Sequence, residues 1–120
     1  VLDKYLDMEI ENEGRVRKME KGEDKENEFG PYIRWMRLKR GFTLSQVADG
    51  LGISTNYVSQ LERGERKVTD DLVVSFAKLY NIDEDILFWK SGKIPLGVRK
   101  LIVNDKSLQE ALSKLYKSRQ

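Results

Sequence analysis

Thr55, Asn56, Ser59 and Gln60 are polar residues spaced so that one helix would present them together. An Asn or Gln amide sets a donor beside an acceptor, which matches the exposed edge of adenine in the DNA major groove. A Thr methyl can meet a thymine methyl, and a Ser hydroxyl can donate or accept. Thr55 and Asn56 fall in the first turn of a predicted helix, with Ser59 and Gln60 one turn further on. Arg63, Arg66 and Lys67 follow, and their charges suit phosphate, as does the hydroxyl of Thr43. Tyr57 admits two roles, a packing residue or a phosphate donor through its hydroxyl.

Such a face has to be held by the segments around it, and the stretch from Phe42 to Gly64, FTLSQVADGLGISTNYVSQLERG, predicts two short helices joined by a tight turn. Thr43 and Gln46 form a capping box for the first helix. Val47 and Leu51 lie four apart on one face. Ala48 is small enough to let a second helix approach closely. Gly52 suits the left-handed backbone that ends a helix, and Ser54 can cap the next one. Val58 and Leu61 supply that helix with a packing face, and Gly64 closes it.

From Phe29 to Trp89, about half of the chain, the sequence resembles the Cro/repressor-type (Xre) helix-turn-helix domain of phage and bacterial regulators. Phe29, Ile33, Met36 and Arg37 match the first helix of that family. Ala48 and Gly52 match its helix-turn-helix positions, and Val58, Leu61, Glu62, Arg63 and Gly64 match the end of its recognition helix. The resemblance implies an all-α, five-helix lambda-repressor-like bundle that binds operator DNA, usually as a dimer. It also implies that Arg37 and Glu62 form an ion pair bracing the first helix against the recognition helix. By the same resemblance Thr55, Asn56 and Gln60 occupy base-reading positions. Leu44 departs from the pattern, because many members open the second helix with a glutamine that bonds a phosphate, and leucine offers no such donor.

Composition narrows the alternatives. The chain has 120 residues, 39% of them hydrophobic, enough for one modest core with extensions. It contains no cysteine and no histidine, which excludes disulfides, thiolate or imidazole metal sites and histidine-based catalysis. No metal and no cofactor is expected. An EF-hand reading of NIDEDILFWKSG fails because apolar residues would occupy ligand positions. The glycines never form a phosphate-cradling loop. Acidic pairs sit at helix starts, where they stabilise the helix dipole, so an enzyme is not expected. No apolar run approaches the roughly 18 residues of a membrane span, and no signal-peptide core opens the chain. A reducing, cytoplasmic setting fits best.

The net charge of +2 is unevenly distributed. Residues 1–28 carry 6 basic and 10 acidic side chains, residues 29–68 carry 7 and 3, and residues 69–120 carry 9 and 7. The positive excess therefore coincides with the segment assigned to DNA, as a phosphate backbone requires.

Three regions are expected: a charged arm or linker at 1–28, the DNA-binding domain at 29–92, and a helical extension at 93–120. The first helix is expected to start at Pro31, with Tyr32, Trp35 and Leu38 outside its core stripe and covered by the arm or by a partner. Thr69 and Asp83 should cap the fourth and fifth helices. In the extension, Pro95 can start a short helix carrying Leu101 and Ile102. Ser107 and Glu110 read as a capping box ahead of a stripe of Leu108, Ala111, Leu112, Leu115 and Tyr116. The stripe either caps its own domain or pairs with a second subunit; with Trp89, it is expected to mediate a homodimer.

The expected function is a DNA-binding transcriptional regulator, a dimeric repressor on an inverted repeat in double-stranded DNA. Two other readings are an antitoxin of the same fold, with a toxin as protein partner, and a protein-bridging module that touches DNA weakly.

Overall fold

The computed structural model describes residues 28–120 and contains seven α-helices and no strand among them. They are α1 (Phe29–Lys39), α2 (Leu44–Leu51), α3 (Thr55–Glu62), α4 (Asp70–Tyr80), α5 (Glu84–Lys90), α6 (Leu96–Asn104) and α7 (Lys106–Ser118). None is long and apolar enough to cross a membrane. The arm at residues 1–27 lies outside the described residues, and with it the expectation that it covers the rings of α1.

The bundle turns tightly because α1 to α5 all end in the same way. In α2, Gly52 takes a left-handed φ of 72°, and the next amide, of Ile53, donates back to the Ala48 carbonyl at 3.1 Å. That bond satisfies a helix-end carbonyl and reverses the chain within two residues. Gly41, Gly64 and Gly92 do the same for α1, α3 and α5, and Asn81 does so for α4. The starts are also specified locally. Thr43, Ser54, Thr69 and Asp83 each accept an amide of the first turn, and Thr43 with Gln46 forms a complete capping box.

Helices α1 to α5 enclose one core, in which Ile33, Val58, Val73, Phe76, Tyr80, Leu87 and Phe88 are fully buried. Each such side chain contributes about 1.5–3 kcal/mol relative to exposure. Its aromatic spine runs from Phe29, edge-on to Phe76 at 5.6 Å, through Tyr80 to Phe42. Arg40 ties α1 to the end of α4, donating to the Tyr80 carbonyl at 2.7 Å.

Three local expectations need correction. Helix α1 starts at Phe29 rather than Pro31, which falls within the first turn, where its missing N–H forfeits no helical bond. Tyr32 and Trp35 are buried and belong to the core cluster, while Leu38 stays exposed. Lys90 and Lys39 lie over the Tyr32 and Trp35 rings at 4.7 and 5.2 Å, cation–π contacts that cover aromatic faces with alkyl stems. Finally, α7 is capped by Asp105, whose carboxylate accepts from the Leu108 amide at 2.9 Å, and not by Ser107. A carboxylate at this position also favours the positive helix end, and it lets α6 pass into α7 through a single residue.

Candidate nucleic-acid interface

Helix α3 owes its orientation to what lies behind it. Val58 and Leu61 are buried in the core, and Ala48 of α2 is buried where the two helices cross. At the C-terminal end, α1 comes so close that a Cβ on Gly30 would lie 2.6 Å from the Glu62 carbonyl oxygen and 2.7 Å from that of Leu61. Only glycine permits that approach. Sequence reading did not single out Gly30, because nothing in its local context shows which helix it will face.

Arg37 makes the second brace. Its Nε and Nη2 donate to the two carboxylate oxygens of Glu62 at 2.7 and 3.0 Å, and its Nη1 donates to the Phe42 carbonyl at 3.1 Å. Both residues are buried. The fork geometry uses three guanidinium donors at once, fixing α1, α3 and the start of the α1–α2 turn together. The hydrogen bond to Glu62 is the main reason that the Arg37 pKa is raised further.

The opposite side of α3 carries the polar residues. Thr55 and Asn56 are exposed at its first turn, while Ser59 and Gln60 are half-buried one turn on. These side chains are held by neighbours. Arg66 donates to the Gln60 amide oxygen at 3.0 Å and lies over the Tyr57 ring at 4.7 Å. Tyr57 is half-buried against the core, which favours the packing role for its ring. Arg63 donates to Ser59 Oγ and forks onto Glu65 at 2.9 Å for both bonds. Glu65, which sequence reading passed over, thus neutralises part of the charge expected from Arg63, and each holds the other's charged form. Both side chains are about half exposed, so salt screens this pair strongly.

Lys67 is exposed on the same loop, and the Thr43 hydroxyl accepts its cap bond from Gln46 while keeping a proton to donate. Arg66 and Lys67, with Lys93, also rim a cleft of about 380 Å³ floored by Phe29 and Leu61. Leu44, in place of a polar helix-opening residue, packs against the core instead. The dimerisation candidates are far less enclosed. Trp89, Leu101, Leu112 and Leu115 are exposed, and Ile102 and Leu108 are half-buried where α6 meets α7.

Similarity to known proteins agrees with this arrangement. Residues 33–87 match the family described as helix-turn-helix. Two uncharacterised HTH-type transcriptional regulators of Mycobacterium tuberculosis are each 31% identical over 85 residues, covering 68% of this chain and 61% of their own length. The chain therefore spans about three-fifths of those relatives. The HTH-type transcriptional regulator ImmR of Bacillus subtilis is 29% identical over 87 residues, covering 72% of this chain and 67% of that protein. The crystal structure of the clp gene regulator ClgR from Corynebacterium glutamicum superposes with a TM-score of 0.50 at 24% identity, over 80% of this chain and 93% of that one, a likeness of fold. Residues 33–87 thus match the helix-turn-helix family, and the relatives that share this stretch are HTH-type transcriptional regulators, in line with the resemblance to the Cro/repressor (Xre) type read from the sequence.

Proposed function

We propose that this protein is a sequence-specific DNA-binding transcriptional regulator, acting as a dimeric repressor on an inverted-repeat operator. The observation that carries the proposal is the two-sidedness of α3. Its inner residues are locked into the core, and its outer edge presents Thr55, Asn56, Ser59 and Gln60 beside Arg63, Arg66 and Lys67. In this reading the N-terminal turn of α3 enters the major groove, where Asn56 contacts adenine and Thr55 a thymine methyl. Arg63, Arg66 and Lys67, with Thr43 and the Tyr57 hydroxyl, bind phosphates and set the register.

A second copy supplies the symmetry. The stripe on α7, with Leu101 and Trp89, is apolar surface that the described residues leave largely open. Pairing it across a two-fold axis covers it and places two reading helices about 34 Å apart, one DNA turn. Occupancy of a promoter by such a dimer blocks polymerase.

Selection of DNA fragments from a random pool by the full chain tests this directly. The expected product is a short inverted repeat bound with steep salt dependence. A pool that shows no enriched motif, with weak and salt-insensitive binding, overturns the proposal.

A further inference from the structure

Asp70, the first residue of α4, receives two cations from the far side of α5. Arg99 of α6 donates to both of its carboxylate oxygens, from Nη1 at 2.8 Å and Nη2 at 3.2 Å, and Lys93 donates to one of them at 3.0 Å. The Arg99 Nε donates to the Ile94 carbonyl at 2.7 Å, and the guanidinium carbon lies 5.6 Å from the ring centre of buried Phe88. One side chain thus joins the start of α4, the segment between α5 and α6, and the wall of the core. Pro95, at the start of α6, is buried as well.

We propose that Arg99 is a positioning residue that sets the separation of the two reading helices in the dimer, and so the half-site spacing that the protein accepts. The inference rests on the dimeric reading above. The residues run in a short series. Helix α3 leads through the seven residues 63–69, the last of them the Thr69 cap, to Asp70, and Arg99 connects Asp70 to the α6–α7 hairpin that carries the pairing stripe. Without the fork, the hairpin keeps its covalent connection and the Pro95 contact but loses the clamp that fixes its angle on the bundle. Two linked sites gain avidity only where both can be engaged at once, and a rigid connection confines that gain to a narrow range of spacing. A loosened connection spreads it.

The test compares full-length parent and Arg99→Ala on two series of DNA. One holds a single half-site, and the other holds two half-sites whose centres are moved in single steps through about half a helical turn from the best spacing. The parent should lose about 100-fold in affinity across the second series. Arg99→Ala should stay dimeric and bind the single half-site like the parent, but lose less than about tenfold across the series. Arg99→Lys keeps the charge without the fork, and should fall on the side of the alanine variant. Asp70→Asn, which removes the acceptor charge and leaves the Thr69 cap, gives the same readout if Arg99→Ala does not fold. Folded, dimeric variants that discriminate spacing as sharply as the parent overturn the proposal. A parent that is monomeric, or that binds no specific half-site, overturns the dimeric reading first and this inference with it.

Discussion

At the scale of single residues, two kinds of polar side chain have to be separated: those that hold α3 in place and those that the proposed function assigns to DNA. Arg37 and Glu62 are of the first kind, since both are buried and their hydrogen bonds are satisfied mutually. Arg37→Ala leaves the Glu62 carboxylate in the core without its partner, and unfolding in urea should show a loss of about 3–5 kcal/mol. Replacing both with methionine should recover much of that loss, because neither charge then remains to be solvated. Asn56 is of the second kind. Asn56→Ala should cost about 1–3 kcal/mol on the selected site and relax preference at one position, with thermal stability unchanged. Lys67→Ala should weaken all sequences alike and flatten the salt dependence by roughly one unit. Titration on matched and mismatched duplexes at several salt concentrations separates the two. Unchanged affinity and preference for Asn56→Ala would mean that another edge of the helix does the reading.

At the scale of helices, close approach and end-to-end pairing decide the geometry. Gly30→Ala puts a methyl group against two backbone carbonyls of α3, atoms that no rotamer change can move away. The expected cost is about 1–3 kcal/mol from overpacking. That outweighs the roughly 0.5–1 kcal/mol by which alanine favours a helix. Weaker DNA binding should accompany it, because the end of α3 is what must shift. The Asp70 cluster predicts a pH effect. Hydrogen bonds from Arg99 and then Lys93 hold the Asp70 carboxyl far below its ordinary value of 3.8. At neutral pH the group is ionised whether the chain is folded or not, and the cluster's contribution is fully present. On acidification the unfolded chain takes up the proton first, so this contribution fades as pH falls below the ordinary value toward the depressed one. The difference in melting temperature between parent and Asp70→Asn should therefore be largest near neutrality and shrink below about pH 4. Since the cluster is about one-third exposed, added salt should shrink it too. A difference that grows on acidification would contradict the assignment.

At the scale of the whole molecule, the proposed dimer rests on the apolar side chains of the C-terminal helices. Leu101 and Val103 on α6, and Leu112, Leu115 and Tyr116 on α7, are all exposed among the described residues. Under the proposed dimeric function, self-pairing of the α7 stripe supplies a cover of the right symmetry for an inverted repeat. Leu112→Asp and Leu115→Asp in the full-length chain should each convert a dimer to a monomer in sedimentation, with melting of the α1–α5 core little changed. Affinity for a single half-site should survive while the advantage of a two-half-site operator disappears. A parent that sediments as a monomer at micromolar concentration would exclude this mode of pairing.

How much of this was legible in the chain depends on the range of the interaction. The capping box at Thr43 and Gln46, the Gly52 and Gly64 helix ends, and the apolar stripe of α7 are local patterns. They depend on residues three or four apart, and they are present in the order of the amino acids. Long-range pairings were not, with the single exception that family resemblance implied for Arg37 and Glu62. Asp70 reads in the sequence as a first-turn carboxylate, and its contact with Arg99, 29 positions away, exists only because α5 folds α6 back toward the start of α4. Gly30 looks like an ordinary residue ahead of a proline until α3 arrives against it. Tyr32 and Trp35 lie outside the expected stripe of α1, yet they are buried because this helix is covered over a wider arc than its own periodicity suggests. Local sequence settled most helix ends, since capping and left-handed turns act within one turn of backbone, although it misplaced the starts of α1 and α7 by two residues each. Which faces meet, and which charges are consumed in the meeting, was decided by the tertiary structure, because burial and pairing are properties of neighbours distant in the chain.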